Sequence, residues 1–176
     1  FAHYHFDADA AVMLTGSHNP SEYNGFKMVF NKHSFFAEDI QSLQKLLDNN
    51  ELELAVGQII NQDSTKEYIE RVLLNISLNR KLKIAWDPGN GAMGKVTREI
   101  TEKLINSENI IINEEVDGNF PNHHPDPTVP KNMIQLIEAI KENNCDIGLA
   151  FDGDGDRLGV IDNLGNIVWA DQYMLL

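Results

Sequence analysis

The sequence predicts an α/β protein whose mixed or parallel sheet carries helices on both faces, one complete domain preceded by part of another. Three observations predict it. Between residues 82 and 151, short apolar runs alternate with helical patterns in the order strand, helix, strand, helix, strand. Parallel strands joined by right-handed crossovers produce that order. Polar residues at 62–65 separate this alternating region from a different apolar pattern ahead of it. Finally, 176 residues amount to one domain or one and a half, and 42% hydrophobic residues suffice for a core.

Taken in order, residues 10–14 form an apolar run that reads as a buried strand, and 26–30 reads as a second strand. Residues 37–48 carry Ile40, Leu43, Leu46 and Leu47 at helical spacing. Ser64-Thr65-Lys66-Glu67 matches a capping box, and Tyr68, Ile69, Val72, Leu73 and Ile76 share a face of the helix after it. Residues 82–86 read as a strand, followed by a glycine turn and a helix with Val96, Ile100 and Leu104 on one side. A strand at 109–113 leads through a loop rich in Pro, His and Asp to a helix with Met133, Leu136, Ile137 and Ile140. A third strand at 146–151 runs into the loop 152–157, and short strands lie near Val160 and Val168. Trp86 and Trp169, at strand ends, are expected to fill core. The pattern divides the chain into 1–63, 64–165 and 166–176.

Charge and cysteine content narrow the function. Fourteen Lys and Arg face 27 Asp and Glu, a formal charge of −13. That balance argues against a nucleic-acid backbone or an anionic membrane as partner. An anionic substrate would need a local cationic site or a bound metal. The lone cysteine, Cys145, permits no intrachain disulfide and fits a reducing, cytoplasmic setting. No apolar run approaches the roughly 18–20 residues of a membrane span. The chain begins at Phe1 and ends inside an apolar run, so it reads as an interior piece of a longer protein. Nothing in the pattern specifies an oligomer.

The most informative segment is Asp152-Gly153-Asp154-Gly155-Asp156-Arg157. Fully extended, it would spread its three carboxylates over about 13 Å, too far for one ion with oxygen ligands at about 2.0–2.1 Å. The chain must curl, and Gly153 and Gly155 permit the backbone conformations a curl needs. Each carboxylate pair brought to about 4 Å would repel by about 4 kcal/mol at an effective dielectric of 20. A hard dication resolves the conflict, and an all-oxygen set favours Mg²⁺ over Zn²⁺. An EF-hand calcium loop fails, with Arg157 at its glycine position and Asn163 at its glutamate position. The segment also follows a strand, where ligands of open α/β sheets bind.

Thr15-Gly16-Ser17-His18-Asn19-Pro20 likewise ends an apolar strand. Its composition is that of a turn. Ser17, however, has a neighbouring base in His18 and a cation downstream in Lys27, and a serine hydroxyl needs such activation. A phosphorylated Ser17 would carry about −1.5 to −2 charges and offer oxygens to an Mg²⁺ shell.

Four motifs converge on a family. The serine loop, followed by Tyr23-Asn24-Gly25-Phe26-Lys27, resembles the active-site loop of the α-D-phosphohexomutases, and the acidic loop resembles their metal loop. Asp87-Pro88-Gly89-Asn90-Gly91-Ala92-Met93-Gly94 and the segment 117–127, Asp-Gly-Asn-Phe-Pro-Asn-His-His-Pro-Asp-Pro, fall between them in the family's order. The latter is most similar to the bacterial phosphomannomutase/phosphoglucomutase branch. The resemblance implies that Ser17 is the phosphoserine, that Asp152, Asp154 and Asp156 hold Mg²⁺ with a phosphoserine oxygen, and that Arg157 offsets phosphate charge. It implies that His18 and Lys27 assist proton transfer at a sugar hydroxyl. It further implies interconversion of hexose 1-phosphate and hexose 6-phosphate, of mannose or glucose, through a bisphosphorylated intermediate. Residues 1–63 would be the end of a first domain, 64–165 the second and 166–176 the start of a third. Gly16 departs from the alanine usual there. The sugar-discriminating and terminal phosphate-binding parts of the family lack counterparts, so the remaining domains of a full-length chain are implied partners and this segment alone is expected to be inactive.

The best alternative is a nucleotide- or dinucleotide-binding module. Gly89, Gly91 and Gly94 satisfy G-x-G-x-x-G between a strand and a helix, with Glu114 and Glu115 about twenty residues on. Against it, Asp87 puts a negative charge beside the would-be pyrophosphate. A tight strand-to-helix turn is the simpler reading. His3, His5, Asp7 and Asp9 are expected to be a polar edge, and His123 and His124 to supply only hydrogen bonds in their loop.

Overall fold

A computed structural model describes residues 1–50 and 54–175, which divide into two compact units. The first comprises Phe1–Thr15 and Asn24–Tyr68, the second Gly16–Tyr23 and Ile69–Leu176. The serine loop thus groups with the second unit, away from the strands that flank it in sequence.

In the first unit, helix α1 (Ala2–His5) precedes an antiparallel sheet of β1 (Ala10–Leu14), β2 (Phe26–Phe30) and β3 (His33–Phe35), and α2 (Glu38–Asp48) follows. Strand β3, absent from the sequence reading, hangs on a two-residue turn in which Asn31 and Lys32 both take positive φ, at 48° and 66°. That is the twist a tight hairpin requires. His3 is buried, its Nε2 accepting the Lys32 amide at 3.1 Å, while Asp7 pairs with Lys32 Nζ at 3.0 Å. The alternating His3-to-Asp9 set is therefore split between core and surface. Strand β1 is not the buried strand its composition suggests, since Val12, Met13 and Leu14 are each 62% exposed. One helix and three strands leave most of this sheet's apolar surface uncovered.

Helix α3 (Thr65–Leu73) crosses from one unit to the other. The cap recorded at its start is Asp63, whose carboxylate accepts from the Thr65 amide at 2.9 Å and hydroxyl at 2.6 Å. The second unit then builds a sheet in the order β5-β4-β6-β7-β8. Strand β4 (Leu82–Asp87) runs parallel to β5 (Ser107–Ile111) and to β6 (Ile147–Phe151), while β7 (Leu158–Asp162) and β8 (Ile167–Val168) add antiparallel. Helix α4 (Met93–Lys103) joins β4 to β5, and α5 (Ile134–Asn143), after a 3₁₀ turn at Pro130–Met133, joins β5 to β6. Because β4 is central, the crossovers step in opposite directions, and right-handed crossovers then place α4 and α5 on opposite faces. The sheet is mixed, as expected. A short helix, α6 (Ala170–Tyr173), ends the described chain.

The core of this unit lies under α5. Met133, Leu136, Ala139 and Ile140 pack with Ala85, Cys145, Ala150 and Ile161 from the strands and their ends. Trp86 is buried as expected and its Nε1 donates to Asn109 Oδ1 at 2.9 Å. Trp169 is not a core residue: it caps α6 and is 45% exposed. Among the described residues, no helix is long and apolar enough to cross a membrane.

Leu136 has no solvent exposure, so Leu136→Ala is expected to destabilise the second unit by about 2–5 kcal/mol in urea unfolding. Leu164→Ala, at a position 70% exposed in a turn, should change stability by less than about 0.5 kcal/mol.

Candidate functional site

Two loops meet inside the second unit. The acidic loop is the hairpin turn between β6 and β7, closed where Phe151 pairs with Leu158. The Gly155 amide donates to the Asp152 carbonyl at 3.0 Å, and the Arg157 amide to Asp152 Oδ1 at 3.0 Å. Gly155 takes φ +77°, and a methyl there would collide with the Met93 side chain of α4. This curl brings carboxylate oxygens of Asp152, Asp154 and Asp156 within 4.8 Å of one another. Asp152 is buried, Asp154 half-buried and Asp156 exposed, so the group opens toward solvent on one side.

The serine loop lies directly on this turn. Ser17 Oγ donates to Asp152 Oδ2 at 2.9 Å, lies 3.4 Å from Asp154 Oδ1, and lies 3.2 Å from His18 Nδ1. Ser17 takes φ +54°, a conformation that costs an L-residue about 1–2 kcal/mol and recurs at functional sites. Gly153 makes the approach possible, because a Cβ there would collide with the Ser17 carbonyl oxygen. Gly16 does more than loosen its loop: a Cβ would stand 2.6 Å from the Tyr23 carbonyl oxygen. The loop therefore closes more tightly than an alanine permits.

Around this contact stand the polar groups of the other loops. Arg157 places Nε 3.9 Å from Asp152 Oδ2 and a terminal guanidinium nitrogen 3.9 Å from Asp126 Oδ1. His18 Nε2 lies 3.9 Å from Asp126 Oδ2, and the His124 ring meets the His18 ring edge-on at 5.7 Å. Burial pushes the Asp126 carboxyl up, but hydrogen bonds from the Thr128 hydroxyl and amide, with the charges of His18 and Arg157, hold it below its ordinary 3.8. Lys27 belongs to the first unit, on β2 opposite Met13.

Sequence reasoning missed how the loop 117–127 is held. His123 Nε2 meets Asp87 Oδ2 at 2.9 Å, with Asp87 at the carboxyl end of β4 and its side chain wholly buried. Asp87 Oδ1 also accepts the Gly89 amide at 2.9 Å and Asn113 Nδ2 at 3.0 Å. Burial draws the His123 ring down, yet the Asp87 hydrogen bond and charge prevail and raise it above its ordinary 6.5. The available signal was an aspartate ending a parallel strand, with histidines in the loop that returns over it.

Comparison with known proteins is decisive. The family model described as phosphoglucomutase/phosphomannomutase, alpha/beta/alpha domain II, matches residues 66–165, and that for domain I matches residues 1–53. This chain belongs to the phosphoglucomutase/phosphomannomutase family. A phosphomannomutase/phosphoglucomutase of Pseudomonas putida is 48% identical over 95% of this chain, and a phosphoglucomutase of Neisseria meningitidis serogroup B is 42% identical over 95%. The chain spans 36% of the length of each. A crystal structure of a phosphoglucomutase/phosphomannomutase family protein from Burkholderia thailandensis superposes with a TM-score of 0.88 at 40% identity, covering 93% of this chain and 35% of that one.

Family membership does not favour the dinucleotide alternative, and the glycine turn shows a physical reason. A Cβ at Gly91 would lie 2.7 Å from the Gly153 carbonyl oxygen, and one at Gly94 would collide with the Glu114 carbonyl oxygen. The Ala92 amide, at the start of α4, donates to Gly153 O at 2.9 Å. Space and amide that a pyrophosphate would use are thus taken by the acidic loop. In this phosphomutase-family chain the glycines serve loop packing.

Two outcomes follow from this geometry. Gly153→Ala should push the serine loop off the acidic turn and weaken divalent-cation binding by tenfold or more, to the order of a lost 1.4 kcal/mol, in calorimetric titration with Mg²⁺ or Mn²⁺. The raised His123 contributes stability that is fully present below pH 6.5, the ordinary value, and is lost as pH rises through the higher folded-state value. Chemical denaturation from pH 6 upward should show that decline in the parent protein and a flatter profile in His123→Gln.

Proposed function

We propose that this chain is the phosphoserine- and metal-binding part of a longer phosphohexomutase that interconverts hexose 1-phosphate and hexose 6-phosphate, with mannose or glucose as the sugar. One observation carries the reading: the Ser17 hydroxyl sits 2.9 Å from the buried Asp152, at the edge of a triad of carboxylates able to hold a metal ion. The names of the relatives from Pseudomonas putida and Neisseria meningitidis serogroup B support the same reaction class. In domain terms, we assign 1–63 to the end of domain 1, 64–165 to domain 2 and 166–176 to the start of domain 3. The exposed apolar strands of the first unit suit a surface covered by other parts of such a chain. The lone Cys145 supports a cytoplasmic setting.

The donor set fits Mg²⁺. All its atoms are oxygens, the carboxylates converge, and the missing Cβ of Gly153 leaves room for the serine loop to close on them. Bound by Asp152, Asp154, Asp156 and a phosphoserine oxygen, Mg²⁺ would supply charge withdrawal from the transferring phosphoryl group. The protein's own residues do the rest, because phosphoryl transfer depends chiefly on positioning and charge neutralisation. Arg157 offers a half-exposed guanidinium to the phosphate oxygens. The Ser17 O–P bond breaks as the sugar oxygen–phosphorus bond forms, and the sugar hydroxyl's proton passes to His18 or Lys27. After the bisphosphate reorients, the Ser17 oxygen takes the other phosphoryl group and the phosphoserine is restored.

Full-length protein carrying Ser17→Ala should lose at least about 10³-fold in kcat on glucose 1-phosphate and mannose 1-phosphate with a bisphosphate activator, as expected when a covalent carrier is removed. Intact mass after incubation with the bisphosphate should show one phosphate on the parent and none on the variant. Phosphate mapping elsewhere, or full turnover by the variant, would refute the assignment. The 176-residue chain by itself should show no turnover in the same assay.

A further inference from the structure

We propose that Asp126 is a positioning residue for this site, setting the tautomer and orientation of His18 and restraining Arg157. The inference rests on the functional reading above and adds to it a residue from a separate loop. Asp126 is the one carboxylate within 4 Å of both side chains other than Asp152, at 3.9 Å from His18 Nε2 and 3.9 Å from the Arg157 guanidinium. Its two oxygens have different duties. Oδ1 accepts the Thr128 amide at 3.0 Å and the Thr128 hydroxyl at 2.7 Å, which fixes the plane of the carboxylate. Oδ2 is thereby turned to His18 Nε2.

An imidazole between a carboxylate and a hydroxyl has two neutral tautomers, and the group beyond one nitrogen decides which nitrogen carries the proton. With Asp126 beyond Nε2, the favoured tautomer is Nε2–H, its positive end toward the carboxylate. Nδ1 then presents its lone pair to Ser17 Oγ, 3.2 Å away. A base oriented by an acid beyond its far nitrogen recurs wherever a serine hydroxyl is activated. At 3.9 Å the carboxylate acts through its field and not through a formed hydrogen bond. The edge-on His124 ring at 5.7 Å restrains the His18 ring from the side. Asp126 itself is carried on the loop that the Asp87–His123 pair bolts to β4, so its placement does not depend on surface chain.

The test separates charge from turn geometry. Asp126→Asn keeps a side-chain oxygen for Thr128 but removes the charge. In the full-length protein it should lower kcat for hexose-phosphate turnover about tenfold or more, with KM within about twofold and an unchanged melting temperature. A turn-forming role alone would leave kcat intact. ¹⁵N chemical shifts of the neutral His18 ring give a readout independent of turnover: Nε2–H in the parent, a mixture of tautomers in Asp126→Asn. Parental kcat in a folded Asp126→Asn variant overturns the proposal, and so does an Nδ1–H tautomer in the parent, which needs no variant to fold. If the parent turned over no hexose phosphate, the mutase reading would fail while the ring tautomer still decided the role of Asp126.

Discussion

Everything at this site depends on one close passage of backbone over backbone. The Ser17 carbonyl oxygen lies where a side chain at position 153 would begin, and only glycine leaves that volume open. Two segments 135 residues apart in sequence can therefore share the Asp152 carboxylate. The same turn presses against α4 on its other side, through Gly91, Ala92 and Met93. The acidic hairpin is thus gripped between the serine loop and the first turn of a helix. Ser17's left-handed backbone belongs to this constraint: it is the conformation recorded while the carbonyl passes Gly153 and the hydroxyl reaches Asp152.

Such a grip concentrates negative charge. Like charges about 4 Å apart repel by about 4 kcal/mol even at an effective dielectric of 20, and Asp152 has no exposure to water. The chain's answer is partial. The Arg157 amide and the Ser17 hydroxyl satisfy one Asp152 oxygen each, and the guanidinium stands off at 3.9 Å. The triad's open side faces solvent through Asp156, so a dication could enter without unfolding the turn. A protein of net charge −13 has little long-range attraction for a phosphosugar. Local cations at the loop must therefore do the work of recruitment, and Arg157, 44% exposed, is placed for it.

What the sequence made legible was chemistry written in contiguous residues. Asp152 to Arg157 and Thr15 to Pro20 declare themselves because turn formers and functional groups alternate within each. The alternating strands and helices of 82–151 were readable because their apolar periods are long and clean, although β5 begins two residues earlier than periodicity suggested. Asp126 and the Asp87–His123 pair were not readable, since each acquires its role only through tertiary contact across 36 or more residues. Strand β3 escaped because three residues are too few to show a period, and its turn uses Asn31-Lys32 in place of a glycine. Apolar composition overstated the burial of β1, because composition records what a strand can bury and not what is present to cover it. Trp169 fails for a related reason: at the start of α6 it meets solvent instead of a second layer.

Asp87 and Asp152 show how one fold separates a structural carboxylate from a functional one. Both are buried, and both lie at the carboxyl ends of neighbouring parallel strands, where open α/β sheets place their ligands. Asp87 is met by three donors, the Gly89 amide, Asn113 Nδ2 and His123, the last able to carry the compensating charge. Removing one partner of such a buried pair leaves an uncompensated charge and is costly, so Asp87 holds the returning loop in place. Asp152 is met by an amide and a hydroxyl, both neutral, with its cationic neighbours at 3.9 and 4.0 Å. Its charge is consequently left for something else to balance, and the adjacent Asp154 deepens that need. Burial is equal at the two positions; compensation is not, and that difference turns one strand end into a clasp and the next into a seat for a cation.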